Sequence, residues 1–341
     1  MALQVSVVVS TFNRLPLLLE LLDALGGQTL PPERFEVIVV DDGSKVPVAP
    51  VLEKRKDPYR LKVVTQANAG AAAARHTGVT HATGDVVIIT DDDMLVPPDF
   101  LERHLEKHEQ GYTLVLGHIT YDHSLAGMPL FERFHAEMLA RFVKEYSDHP
   151  TAVRGVAVCT GNVSFRRTEY LAVGGFDREL GRSEDRELGA RLQKNGAKLI
   201  FAKDAVTTNR SDHTDLSVWR RRNFLYGVYD SRIHRKHPDL VDTDPWQFIF
   251  MVNPISRGLL MLAATSPAIG ERLARAAYEA AEAIDKQRER LPVLERVAIA
   301  GATLSYGLDY FRGVREEAGS LSRAARDFLR HARWHFRRRP A

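Results

Sequence analysis

The stretch Phe35-Glu36-Val37-Ile38-Val39-Val40-Asp41-Asp42-Gly43-Ser44 decides the fold. Its apolar residues are mostly β-branched and run almost unbroken, which suits a strand covered on both faces. Two carboxylates and a glycine then end it abruptly. In an open parallel sheet, ligands bind at such carboxyl ends. The same grammar recurs on either side. Residues 5–10 form an earlier apolar run, 61–65 a later one, and 85–90 a fourth that ends in Asp91-Asp92-Asp93. Between the first two, residues 15–25 carry apolar positions 18, 21, 22 and 25 at helical spacing, with Pro16 suited to a first turn. Between the last two lies an alanine-rich helix over 69–82. Strand–helix–strand, repeated, predicts a mostly parallel, Rossmann-like α/β sheet flanked by helices.

Further along, helices are expected over 98–110 and 131–146, and a strand over 114–117. Residues 155–166 read as extended. Ser183 suits the cap of a helix running to Asn195 and closed by Gly196, with Glu184 and Asp185 in its first turn. A last strand follows at 198–202. Beyond about residue 215, strand signals vanish and helical periodicity dominates. A soft boundary near Asp244-Pro245 divides a catalytic domain, 1–244, from an α-helical C-terminal region, 245–341.

Composition excludes several classes. The chain has 341 residues, 44% hydrophobic and 27% charged, so neither disorder nor low complexity is indicated. A formal charge of +3 is too small to imply nucleic-acid binding. The single cysteine, Cys159, allows no internal disulfide and fits a reducing cytoplasm. The apolar start lacks a basic leader segment. The best candidate for a spanning helix, 248–269, is interrupted by Asn253, Pro254 and Arg257. From residue 321 onward, seven arginines face one aspartate, with Trp334 and Phe336 interleaved. A solvated helix end and a peripheral contact with the inner membrane face both fit that tail. It could equally support a homodimer.

Three acidic clusters carry the chemistry. Asp41 and Asp42 can accept from a base N–H or a ribose hydroxyl, although Asp-Gly is also plain turn chemistry. Three consecutive carboxylates, Asp91, Asp92 and Asp93, repel one another and call for a cation. Clustered oxygens suit Mg²⁺ or Mn²⁺, which would bridge a diphosphate leaving group. A solvated loop is the plainer reading. Asp185 shares a helix face with Leu188 and Leu192, so docking of that face points it inward, where it could act as a general base. Dipole-stabilising acids at a helix start would look the same.

In order along the chain, several motifs resemble family 2 glycosyltransferases of the GT-A fold. They are Val5-Ser-Val-Val-Val-Ser-Thr-Phe-Asn-Arg14, then Asp41-Asp42-Gly43-Ser44. Asn68-Ala-Gly70 through Arg75-His76-Thr-Gly78 follows, closing on Ala82-Thr-Gly84-Asp85, and finally Gly174-Gly175-Phe176-Asp177 before Glu184-Asp185. The resemblance covers roughly residues 4 to 230 and implies a nucleotide-sugar donor, with UDP the favoured base. It implies that Asp41 reads the nucleobase and Asp42 supports its loop. Thr11, Arg14 and Arg75 lie near the nucleotide. Asp91, Asp92 and Asp93 correspond to the DXD motif, with Asp93 on the metal and Asp91 on the ribose or a metal-bound water. Asp185 corresponds to the base of an inverting transfer. Thr160, Gly161 and Asn162, with Glu184, lie beside the donor sugar and acceptor. His213 stands where some members place a third metal ligand. His76 departs from the usual asparagine.

The acceptor is left open as a saccharide, a lipid-linked sugar or a small molecule. A nucleotidyltransferase of related fold would need a glycine- and basic-rich loop after the first strand, and Ser10-Thr11-Phe12-Asn13-Arg14 has no glycine. A non-catalytic nucleotide-sugar binder would be expected to lose the metal carboxylates or the base, and all are present.

Overall fold

The computed structural model describes residues 4–122, 128–210, 214–289, 291 and 293–337. Its sheet contains β1 (Val5–Thr11), β2 (Phe35–Asp41), β3 (Arg60–Thr65), β4 (Val86–Asp91), β5 (Met94–Leu95), β6 (Leu114–Tyr121), β7 (Val163–Arg166) and β8 (Leu199–Asn209). Spatial order is β3-β2-β1-β4-β7-β6-β8-β5. The first four strands in that order are parallel, as their repeated strand–helix–strand pattern requires. The other half is mixed: β7 runs antiparallel to both β4 and β6, whereas β6 and β8 are parallel. The result is a mixed α/β sheet whose parallel half is the one the strand–helix–strand pattern predicts.

The register matters for function. Thr11 is level with Asp41, and Ser10 with Asp91, so the acidic ends of β2 and β4 flank the end of β1. Both sheet faces are covered. One layer buries Val8, Ile38, Val40, Val87 and Ile89 together with Ala74 and Val79 of the Ala71–His81 helix. The other buries Val7, Val9, Val37 and Ile88 against Leu18, Leu21, Leu22 and Leu25 of the Leu15–Gly26 helix. Each fully buried side chain of this size contributes about 1.5–3 kcal/mol relative to exposure.

The chain divides into two compact units, Met1–Ala126 with Ala136–Asp212, and Gly127–His135 with His213–Ala341. That division falls ahead of the composition change at 244/245, because the Leu216–Lys236 helix packs with the later helices. In the second unit, Gly227 and Gly313 let two helix backbones meet: a Cβ at either would lie 1.9 Å from a facing carbonyl oxygen. Arg220 donates to both carboxylate oxygens of buried Asp309 at 2.9 Å. Among the described residues, no helix is long and apolar enough to cross a membrane.

Candidate active site

The site is built at the carboxyl ends of β1, β2 and β4. At the end of β1, the Thr11 hydroxyl donates to Asp92 at 2.7 Å. Arg14, in the loop before the Leu15–Gly26 helix, donates to Asp93 at 2.7 Å and to Asp92 at 3.4 Å. Arg75 projects from the Ala71–His81 helix and is buried. One of its terminal nitrogens meets Asp91 and the other Glu184, both at 2.6 Å. Burial pulls the Arg75 pKa down, but Asp91 and Glu184 outweigh it and hold the guanidinium firmly charged. Thr11, Arg14, Asp92 and Asp93 therefore form one bonded group and Asp91, Arg75 and Glu184 another, and the consecutive residues 91–93 set the two side by side.

Asp185 follows Glu184 at the start of the Glu184–Lys194 helix. Two glycines set that helix in place: Gly189 and Gly155 face each other so closely that a Cβ on either would lie about 2 Å from the other's carbonyl oxygen. Leu188 and Leu192 are buried as the helical spacing required. The Asp185 carboxylate accepts from Arg186 N at 2.8 Å and, at a long 3.4 Å, from Thr160 N. Burial, and then the charge of Glu184, push its pKa up to about 7. Asp92 is pushed up to about 6, chiefly by burial, with Thr11 and Arg14 opposing. Asp93 is raised by burial and by Asp91.

Other expected residues sit differently. Asp41 is fully buried, and its oxygens accept from Ser44 N at 2.9 Å and Val48 N at 3.2 Å. It braces its own loop through both oxygens. Asp42 supports the next loop, accepting from Gln66, Ala69 N and Gly70 N. Gly43 adopts φ +77° there, and a Cβ would lie 2.8 Å from Asn68 N. Gly161 does border the acidic cluster, since a Cβ on it would lie 3.6 Å from Asp91 Oδ2. Asn162 is 1% exposed, and its amide is committed to His104 and to the carbonyls of His118 and Ala205. It holds neighbouring strands together. Ser183 occupies the N-cap at φ +60° without capping, and its buried hydroxyl has no partner among the described residues. His213 lies outside the described residues.

Sequence reasoning passed over His104 and His108. Both are buried and bracket the Ser164 hydroxyl at 2.8 Å. The Asn162 NH₂ faces two carbonyls, so its oxygen faces His104, and His104 Nε2 must donate. Burial lowers their pKa values to about 4 and about 3. The available signal was their i, i+4 spacing on the same helix face as Phe100, Leu101 and Leu105.

The donor chemistry fits a divalent ion. Asp91 and Asp93 offer hard carboxylate oxygens, and the Arg14 guanidinium lies against Asp93 as a stand-in cation. Among the described residues, no group of three or more His, Cys, Asp or Glu is arranged to hold a metal.

Residues 6–175 match the family model of Glycosyl transferase family 2. An uncharacterized glycosyltransferase, YwdF of Bacillus subtilis, is 27% identical over 248 residues, covering 69% of this chain and 84% of that one. Validoxylamine A glucosyltransferase of Streptomyces hygroscopicus subsp. limoneus is 32% identical over 276 residues, covering 71% of this chain. The match spans 58% of that relative's length. The mannosyltransferase PcManGT of Pyrobaculum calidifontis, solved with GDP-Man and Mn²⁺, superimposes with a TM-score of 0.53 at 21% identity. That likeness covers 96% of this chain and 88% of PcManGT, and concerns the fold.

Proposed function

This chain belongs to glycosyl transferase family 2 and is a glycosyltransferase, and on that premise we propose that it moves a sugar from a nucleoside-diphosphate sugar to an acceptor hydroxyl by a single inverting displacement. UDP is the favoured donor base. Asp185 takes the proton from the acceptor hydroxyl. The freed oxygen forms its bond to the anomeric carbon as the bond from that carbon to the diphosphate oxygen breaks. The nucleoside diphosphate leaves carrying the electron pair. Arg75 and Arg14 face the charge that develops on it, and Arg75, buried and paired on both sides, is held in orientation, which saves reorganisation at that moment. Asp91 and Asp93 would hold a Mn²⁺ or Mg²⁺ ion, whose chemistry is to neutralise the leaving diphosphate.

The observation that carries this reading is Arg75. It ties Asp91, at the donor end, to Glu184, the neighbour of the base, at 2.6 Å on each side. Gly161 lies beside Asp91, with Met94 and Ile119 packed closely over it. A raised Asp185 pKa, near neutrality, suits a general base. The catalytic domain in this reading is 1–244, with 245–341 as the helical region. The acceptor is a saccharide, free or lipid-linked, or another small hydroxyl compound. The Leu321–Arg337 helix is proposed to rest on an anionic membrane surface at the cytoplasmic face.

A thermal-shift panel of UDP-, dTDP- and GDP-sugars, each with and without Mn²⁺, tests donor class and metal dependence together. A ligand present at about 100 times its Kd stabilises by about 2.7 kcal/mol. No shift with any nucleotide sugar would count against the proposal.

A further inference from the structure

A cation contact at the outer side of the acidic cluster is supplied by a side chain of the protein itself. Arg14 donates to Asp93 Oδ2 at 2.7 Å and to Asp92 Oδ1 at 3.4 Å. The Asp93 side chain is 9% exposed and that of Arg14 26%, so the pair sits at the mouth with the arginine on the outer side. Thr11 pins Asp92 at 2.7 Å, which keeps the second acceptor in place. Arg75 serves Asp91 from the other side. Two guanidinium groups thus already lie against the three carboxylates, one of them shared with Glu184. A cation cannot approach the Asp93 oxygen that Arg14 occupies without displacing the guanidinium, because both need the same lone pairs and repel each other.

We propose that Arg14 is a resident counter-ion that competes with the divalent cation for Asp93 and moves onto the diphosphate when the cation binds. The inference rests on the metal reading given above. It makes Arg14 a positioning residue with two alternative anionic partners. In one state the planar guanidinium is bonded to a carboxylate; in the other it meets phosphate oxygens, which it also fits. The free chain then binds divalent cations weakly. Nucleotide favours the cation by drawing Arg14 away, and the cation favours nucleotide by the same factor, since coupling is reciprocal.

The test is Mn²⁺ binding to the full chain without nucleotide, at pH 7.5, followed by electron paramagnetic resonance of the free ion. Wild type is compared with Arg14→Gln, Arg14→Ala and Arg14→Gln/Asp93→Asn, all checked for an unchanged unfolding transition. Arg14→Gln and Arg14→Ala should bind Mn²⁺ at least ten-fold tighter than wild type, and Asp93→Asn should erase that gain. Using two variants guards against a glutamine that merely re-forms the hydrogen bond to Asp93. Equal Mn²⁺ affinity in wild type and both single variants, still lost with Asp93→Asn, would overturn the competition and leave the metal reading standing. Absence of any Asp93-dependent Mn²⁺ binding would overturn both.

Discussion

Arg75 and Glu184 stand 109 residues apart in the chain, yet their side chains meet at 2.6 Å in a buried contact. The remaining terminal nitrogen of the same guanidinium meets Asp91, and Arg75 Nε has no partner among the described residues. One side chain therefore sets the spacing between the strand-end carboxylates and the helix that carries Asp185.

Replacing Arg75 should damage both stability and activity. Arg75→Met removes the charge and leaves Asp91 and Glu184 facing each other. Breaking a buried pair from one side costs about 3–5 kcal/mol. Arg75→Lys should not restore activity, because an ammonium cannot hold two carboxylates in a planar fork. Urea unfolding and kcat/KM, measured on both variants, check this; a fully active Arg75→Lys enzyme would show that charge alone suffices.

Asp185→Asn should retain donor binding and lower kcat by roughly 10²–10⁴ fold, the usual worth of a general base. In wild type the carboxyl must be ionised to accept a proton, and its pKa is raised to about 7. The rate should therefore rise as pH increases through about 7 and flatten above it. Profiles of kcat/KM from pH 5.5 to 8.5 should show this acid limb in wild type and lose it in Asp185→Asn. A wild-type rate independent of pH over that range would remove Asp185 from the role.

His104 makes folding sensitive to acid. Its pKa falls from an ordinary 6.5 to about 4 on burial. Between those values the unfolded chain binds more protons than the folded one, so stability drops as pH falls from 6.5 towards 4 and is fully present above 6.5. The slope from one such histidine approaches about 1.4 kcal/mol per pH unit. His108, lowered to about 3, adds to it. Asp185 and Asp92, raised to about 7 and about 6, act in the opposite sense over the same range, so the histidine contribution is read by difference: the unfolding free energy of wild type minus that of His104→Gln should fall between pH 7 and pH 4.5.

The Leu321–Arg337 helix should bind anionic vesicles. Arg326, Arg330, Arg333 and Arg337 recur at helical spacing and, with Leu329 and Trp334, line one surface concavity of about 620 Å³. Leu329 and Phe336 are exposed, whereas Ala324 and His331 turn inward. Each arginine near an anionic surface contributes about 1 kcal/mol, and salt weakens it. Flotation with phosphatidylglycerol vesicles should retain the protein at low salt and release it at 0.5 M. Arg326→Glu/Arg330→Glu/Arg333→Glu should abolish retention, and phosphatidylcholine vesicles should capture neither protein. Retention that ignores both lipid charge and salt would rule out this contact.

Much of the first unit was legible from local pattern. The strands expected at 5–10, 35–40, 61–65 and 85–90 appear as β1 to β4 within a residue or so at each end. Their acidic ends lie at the strand termini that the topology rules require. The antiparallel insertion of β7 was not legible, because Val163–Arg166 is four residues long and its pairing partners lie far along the chain. The helix at Arg167–Ala172 was overlooked for a similar reason: it is too short for its periodicity to register.

Residue type and spacing alone established that acids cluster at strand ends, that Leu188 and Leu192 dock the helix of Asp185, and that the chain turns helical after about 215. These are properties of short segments, where hydrophobic period and turn chemistry act within a few bonds. Packing decided what each acid does. Asp41 and Asp42 are chemically alike and adjacent, yet Asp41 closes on Ser44 and Val48 while Asp42 reaches Gln66, Ala69 and Gly70. Asn162 became a strut, and Arg14 and Arg75 became the counter-charges of the triple aspartate. Such assignments depend on which donors arrive from distant segments, and only the folded chain brings those donors within reach.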